Sequence, residues 1–205
     1  MIYQQIKDYC RELEGEFGLI SQDRKEILAK LAQGIRSSLD QHGRADLIYI
    51  CTHNSRRSHF GQVWAHVGAA WYGVNGISSF SGGTEETAFH PNAIEALRRV
   101  GFQISKTDEV ANPMYEVRFD DEDQPALCFS KRYDHEANPQ SDFIAVMTCG
   151  EADENCPFIP GALYRIATTY LDPKAGDNGP EPGKLYDERC RQIGRETFYM
   201  LSLLK

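Results

Sequence analysis

Four short apolar runs, Leu47–Ile50, Ile77–Phe80, Phe143–Met147 and Leu163–Thr168, alternate with helical patterns at about 57–72, 91–100 and 184–204. No other feature constrains the fold of this chain as strongly. Strands separated by segments long enough to cross back pair in parallel, with helices packed on both faces of one sheet. Pro91 suits the first turn of the second helix, and Gly101 suits its end. The expectation is an α/β fold on a four-stranded parallel sheet flanked by helices. Ligands of such sheets bind beyond the carboxyl ends of the strands. Cys51 and Cys149 both stand at such ends.

The flanking segments read differently. Residues 1–45 form a helical extension. Ile27, Leu28, Leu31, Ile35 and Leu39 share one helical face, Ser21 is a fitting N-cap with Asp23 in the first turn, and Gly43 stops the pattern. Helices are expected at roughly 2–16 and 22–41. Residues 46–205 then make up the α/β domain, with an insertion at about 112–142. Within it Met114–Phe119 and Ala126–Tyr133 alternate around the acidic tip Asp120-Asp-Glu-Asp-Gln-Pro125, which predicts a β-hairpin. Residues 174–183, rich in Gly and Pro, form a loop.

The net charge of −8 argues against nucleic acid or an anionic membrane as the main partner. No apolar stretch approaches the length of a membrane span, and the N-terminus carries no signal-peptide pattern. A cytoplasmic setting is expected, where the six cysteines are better read as catalytic or metal-binding than as a disulfide framework. No Cys-x2-Cys pair occurs, so no metal site is assigned. No cofactor is implied.

The chemistry concentrates in Cys51-Thr-His-Asn-Ser-Arg-Arg-Ser58. A strand leads into it and a helix begins at its end. That geometry aims backbone N–H groups and a helix N-terminus at one point, where tetrahedral oxyanions bind and a thiolate is favoured. Thr52, His53, Asn54, Ser55 and Arg56 would line the anion, and Arg57 would offer it a planar fork. Ser58 would donate a hydrogen bond to the sulfur of Cys51. A second constellation, Cys149-Gly-Glu-Ala-Asp-Glu-Asn-Cys156-Pro157, places two thiols in a polar, acidic loop. If the loop folds back, the pair can close as a disulfide and relieve Cys51 of an adduct by exchange. Asp172-Pro173 follows the fourth strand and suits a proton donor to a departing oxygen. His59, His66 and His90 read as packing or surface residues, as do the tyrosines.

Residues 46–205 resemble the low-molecular-weight protein tyrosine phosphatases and, more closely, the thioredoxin-coupled arsenate reductases of the same fold. The Cys51–Ser58 segment is similar to the family's anion loop. Ser81-Gly-Gly-Thr-Glu85 with His90-Pro-Asn-Ala93 resembles its second-strand and helix signature. Asp172-Pro173 matches the general acid, and Cys149 to Cys156 looks like the reductases' redox segment. Arg56 stands where the family usually has cysteine, Gln62 where it has glutamate, and Lys174 where phosphatases have tyrosine. The resemblance implies arsenate reduction. Cys51 would take up arsenate on the loop and Arg57, and Asp172 would protonate the departing oxygen. Cys149 would then attack Cys51, and Cys156 would attack Cys149, leaving a disulfide for thioredoxin. The alternative is hydrolysis of a phosphomonoester through a phosphocysteine at Cys51. A non-catalytic oxyanion binder is a third class, which leaves the thiol pair without a role.

Overall fold

The computed structural model describes residues 1–177 and 179–205, so Asn178 of the expected 174–183 loop lies outside the described residues. The chain runs α1 (Gln4–Gly15), α2 (Gln22–His42), β1 (Ala45–Cys51), α3 (Arg57–Tyr72), β2 (Ile77–Gly83) and α4 (Pro91–Val100). It continues with β3 (Gln103–Lys106), β4 (Tyr115–Arg118), β5 (Ala126–Cys128), β6 (Phe143–Met147), α5 (Gly150–Asn155), β7 (Ala162–Ala167) and α6 (Pro182–Ser202). Short 3₁₀ turns cover Phe17–Leu19 and Pro173–Gly176.

β2, β1, β6 and β7 lie side by side in that order, all parallel. β1 and β6 are buried on both faces, which explains their unbroken apolar runs. Leu47, Tyr49, Ile144 and Val146 point to one face, where α2, α3 and α6 cover them with Leu28, Ala65 and Met200. Ile48, Ile50, Ala145 and Met147 point to the other face, under α5 and Ile159. Burying each such side chain fully contributes about 1.5–3 kcal/mol. The helix α3 lies so close to β1 that a Cβ on Gly61 would fall 2.2 Å from the Tyr49 ring. No helix among the described residues is long and apolar enough to cross a membrane.

The two N-terminal helices form as expected. Ser21 accepts from the Arg24 amide, and Gly43 ends α2 in the left-handed region at φ 69°. Cys10 and Leu13 of α1 enter a second core with Trp64, Leu97 and Phe198 from α3, α4 and α6. There Trp64 stacks on Tyr9 and meets Phe102 and Phe198 edge-on. Cys10, Cys128 and Cys190 are buried in that core, and burial pushes each thiol up to about 12.

The expected hairpin forms with a shorter second arm and one strand more. β4 and β5 do pair antiparallel around the acidic tip, but a third strand, β3, pairs with β4 on its other side. The second arm also stops at Cys128 instead of reaching Tyr133. Its continuation is tied elsewhere. Ser130 exchanges hydrogen bonds with Asn112, and the Lys131 amide donates to Asn54 of the anion loop. Sequence alternation cannot show that these backbone groups find tertiary partners.

Candidate active site

β1 delivers Cys51 to the carboxyl edge of the sheet at 3% exposure. The following loop keeps its carbonyls on the outside. The Cys51 carbonyl accepts from the Thr84 amide and that of Thr52 from the Glu85 amide. The Ser55 carbonyl accepts from the His90 amide, and the His53 carbonyl from the Thr87 and Ser130 hydroxyls. The amides of Thr52 to Arg56 have no protein acceptor among the described residues. Carbonyls out and amides in make a concave nest for an anion.

Asn54 holds the loop in shape. Its φ of 43° is a left-handed turn that asparagine tolerates better than most residues. Its side-chain amide donates to Ser58 Oγ at 2.9 Å, and its Oδ1 accepts from the Lys131 amide at 2.9 Å. Ser58 Oγ lies 3.1 Å from Cys51 Sγ. Because Ser58 already accepts from Asn54, its own hydroxyl proton is free to point at the sulfur.

Arg57, 8% exposed, begins α3. Its Nη1 donates to the Tyr170 carbonyl at 2.9 Å and its Nη2 to Asp172 Oδ2 at 2.6 Å, while Nε has no partner. Asp172 also accepts from the Lys174 amide, capping the Pro173–Gly176 turn. The ion pair keeps Asp172 beside the anion loop.

Cys149 caps α5 with its sulfur, which accepts from the Ala152 amide, and lies 3.4 Å from Thr52 Oγ1. A second buried thiol therefore stands against the loop that carries the first. Thr52 also donates to Glu151 Oε2 at 3.0 Å. Cys156 closes the far end of α5 and is partly exposed. Arg165 of β7 clips that end, donating to the carbonyls of Cys156 and Asp153.

No protein-family model matches the chain. Its sequence is similar to an arsenate reductase of Brevibacillus brevis, 28% identical over 144 residues that span 69% of this chain and 86% of that one. It is also similar to arsenate reductase 2 of Staphylococcus saprophyticus, 29% identical over 155 residues, 75% of this chain and 95% of that one. Its fold is similar to that of a low-molecular-weight phosphotyrosine phosphatase of Vibrio cholerae, with a TM-score of 0.51 and 13% identity over 78% of this chain and 95% of that one. The chain is thus similar in sequence to these arsenate reductases and shares its fold with that phosphatase.

Arg56 keeps its amide in the loop, but its side chain turns to partners outside it. Its Nε donates to the Tyr186 hydroxyl at 2.8 Å, and its Nη2 reaches Asp177 at 3.5 Å. Tyr186 donates onward to Asp177 at 2.7 Å. Burial acts to raise Asp177, but the bond from Tyr186, with help from His90, Asn92 and Arg56, outweighs it and leaves the carboxyl below its usual range. This network ties the segment after Asp172 to the start of α3. His53 sits at the rim, 3.5 Å from Glu85. Ser55 turns its hydroxyl to the Ala88 carbonyl.

Sequence reading set Tyr186 aside with the other tyrosines and missed Lys131, Ser130 and Asp177, since none stands at a motif spacing. Gly83, inside the quoted Ser81–Glu85 segment, has a role the spacing did not reveal. A Cβ there would fall 2.3 Å from the Glu85 carbonyl oxygen and 2.8 Å from the Asn54 nitrogen. Gly83→Ala is therefore expected to push the anion loop outward, destabilise the protein by about 2 kcal/mol, and weaken phosphate binding at least tenfold in calorimetry. Unchanged phosphate affinity would mean that the nest does not need this close approach.

Proposed function

We propose that this protein is an arsenate reductase whose covalent chemistry begins at Cys51. The observation that carries the reading is the placement of Cys149 Sγ 3.4 Å from Thr52 Oγ1, beside the nest. Hydrolysis by water needs no second thiol in turnover, whereas reduction does.

Arsenate binds with its oxygens on the inward amides of Thr52 to Arg56 and on Arg57, which exchanges its bond to Asp172 for the anion. Freed from its counter-charge, Asp172 carries the proton that leaves with the departing oxygen. The Cys51 thiolate attacks arsenic(V), a sulfur–arsenic bond forms, and water departs. The Ser58 hydroxyl stabilises the sulfur as thiolate and later as leaving group. The Cys149 thiolate then attacks Cys51 sulfur. The sulfur–arsenic electron pair stays on arsenic, which leaves as arsenite, and a Cys51–Cys149 disulfide forms. Cys156 attacks Cys149, returning Cys51 as thiolate.

That last step needs movement. Cys149 and Cys156 flank the six residues of α5, so their backbones stand about 10 Å apart along the axis at about 1.5 Å per residue. A disulfide requires roughly 7 Å or less. α5 therefore unwinds when the pair closes, and the Arg165 clip opens with it. A helix this short has little intrinsic stability to lose. The exposed product disulfide suits reduction by a dithiol protein of the thioredoxin type.

Mapping disulfides by mass spectrometry after adding arsenate to the reduced protein tests this scheme. Wild type is expected to end as Cys149–Cys156, and Cys156→Ser is expected to stall as Cys51–Cys149. Cys149→Ser is expected to make no arsenite beyond background. Full multiple turnover in both serine variants would refute the mechanism. Phosphomonoester hydrolysis through the same nest is the second reading; it is supported if activity on an aryl phosphate survives both substitutions while arsenate forms no disulfide.

A further inference from the structure

Behind the anion loop a cavity of about 620 Å³ opens between the outer edge of β2, the middle of α3 and the small antiparallel sheet. β2 ends the sheet order, and the segment around Arg132 covers its outer edge at Gly83, with no further strand there among the described residues. Phe80, Met114, Leu127 and Phe129 give the cavity an apolar lining. Two polar side chains in its wall lack the partners that burial demands.

The first is Lys131. It is 2% exposed, and its Nζ lies 4.4 Å from the centroid of the Phe129 ring. No carboxylate lies within ion-pair distance of it among the described residues. Burial pushes its pKa down to about 8, with only the Cys128 thiol acting against that. At neutral pH most of the population still carries the charge. A buried, uncompensated ammonium is costly, and proteins retain one where something pairs with it. The second is Gln62, 3% exposed. Its Nε2 donates to the Leu127 carbonyl at 3.0 Å, and its buried Oε1 faces the His59 ring without a hydrogen bond within range.

We propose that this cavity binds a small organic carboxylate with an apolar body and one hydrogen-bond donor. The carboxylate pairs with Lys131, the donor reaches Gln62 Oε1, and the apolar body lies on Phe80, Met114 and Phe129. The volume is that of a small-molecule site. An inorganic oxyanion would satisfy the ammonium but leave the apolar walls and Gln62 unmet. The site is separate from the nest at Cys51 and does not depend on the reaction there. The two are neighbours, since the Lys131 amide is the donor that holds Asn54.

The test is titration calorimetry of the reduced protein in saturating phosphate, which occupies the nest. The probes are 4-hydroxyphenylacetate and tyramine, which share an aromatic body and differ in the charge of the tail. The carboxylate is expected to bind one to one, and tyramine at least thirtyfold more weakly. Lys131→Met is expected to weaken 4-hydroxyphenylacetate by at least thirtyfold. Gln62→Glu, which supplies a resident carboxylate to the same wall, is expected to do the same and serves as a second variant should the first not fold. Absence of binding to wild type, equal binding of tyramine, or full affinity in both variants would overturn the proposal.

Discussion

Arg57→Lys is expected to lower kcat/KM for arsenate by about 10³-fold, at the upper end of what loss of one preorganised oxyanion donor costs. The charge survives the substitution, so the loss isolates geometry. In the resting protein the two terminal nitrogens of Arg57 hold separate targets, the Tyr170 carbonyl and Asp172 Oδ2. A planar guanidinium can keep the first and turn its remaining donors to an oxyanion. A lysine ammonium is a point charge on a flexible stem and cannot span both. The substitution therefore loosens the end of β7, frees Asp172 and removes the fork in one step. Both kcat and kcat/KM are expected to fall, because the fork acts on charge that develops in the transition state. Steady-state kinetics on arsenate and on an aryl phosphate measure the effect; a loss under tenfold on both would place the anion elsewhere.

Lys131→Met is expected to stabilise the protein. Burial lowers the lysine pKa from 10.5 to about 8, and at about 1.4 kcal/mol per unit this is a penalty of about 3 kcal/mol. The ring of Phe129 offsets about 1 kcal/mol of it. The variant should gain about 2 kcal/mol at pH 7, or roughly 4–8 °C in Tm for a chain of this size. The sign with pH follows from proton uptake. Between pH 8 and 10.5 the unfolded lysine holds its proton and the folded one does not. Wild-type stability therefore rises with pH through that window relative to the variant, and the variant's advantage fades as pH approaches 10.5. Urea unfolding at pH 7 and pH 10 tests both parts. A residue that destabilises the free protein and lines a cavity fits a binding role better than a packing role.

His59 behaves in the opposite pH range. It is fully buried, and burial together with the charge of Lys131 holds its pKa down at about 3. The unfolded ring takes up a proton below about 6.5. Its contribution to stability is complete above that pH and is lost as pH falls toward 3. In Lys131→Met one of the two lowering causes disappears, so the variant is expected to lose less stability than wild type as pH falls from 6.5 toward 3, measured by urea unfolding across that range.

Much of the fold, and the local layout of the candidate site, was legible in the sequence. Short apolar runs bounded by helical periodicity are a local signal, and all four became the strands of the parallel sheet. The run from Cys51 to Ser58 is also local, because a strand end, a loop and a helix start are consecutive. Where the Arg56 side chain goes was not legible in this way. Its spacing places it next to the anion, but its side chain follows Tyr186 and Asp177, which are more than a hundred residues away. β3 escaped notice because four residues, only one of them partly buried and apolar, carry too little alternation.

By itself the sequence determined the parallel sheet, the thiol at its carboxyl edge, the arginine that follows and the presence of a second thiol pair. Those properties depend on periodicity and on chemistry carried by neighbours in the chain. Only the tertiary structure decided which groups meet. It brought Cys149 to Thr52, paired Asp172 with Arg57, turned Arg56 to Asp177, and placed Lys131 between Asn54 and a cavity. The physical reason is that buried backbone and side-chain polar groups must find partners wherever packing leaves them, and those partners lie far apart in sequence.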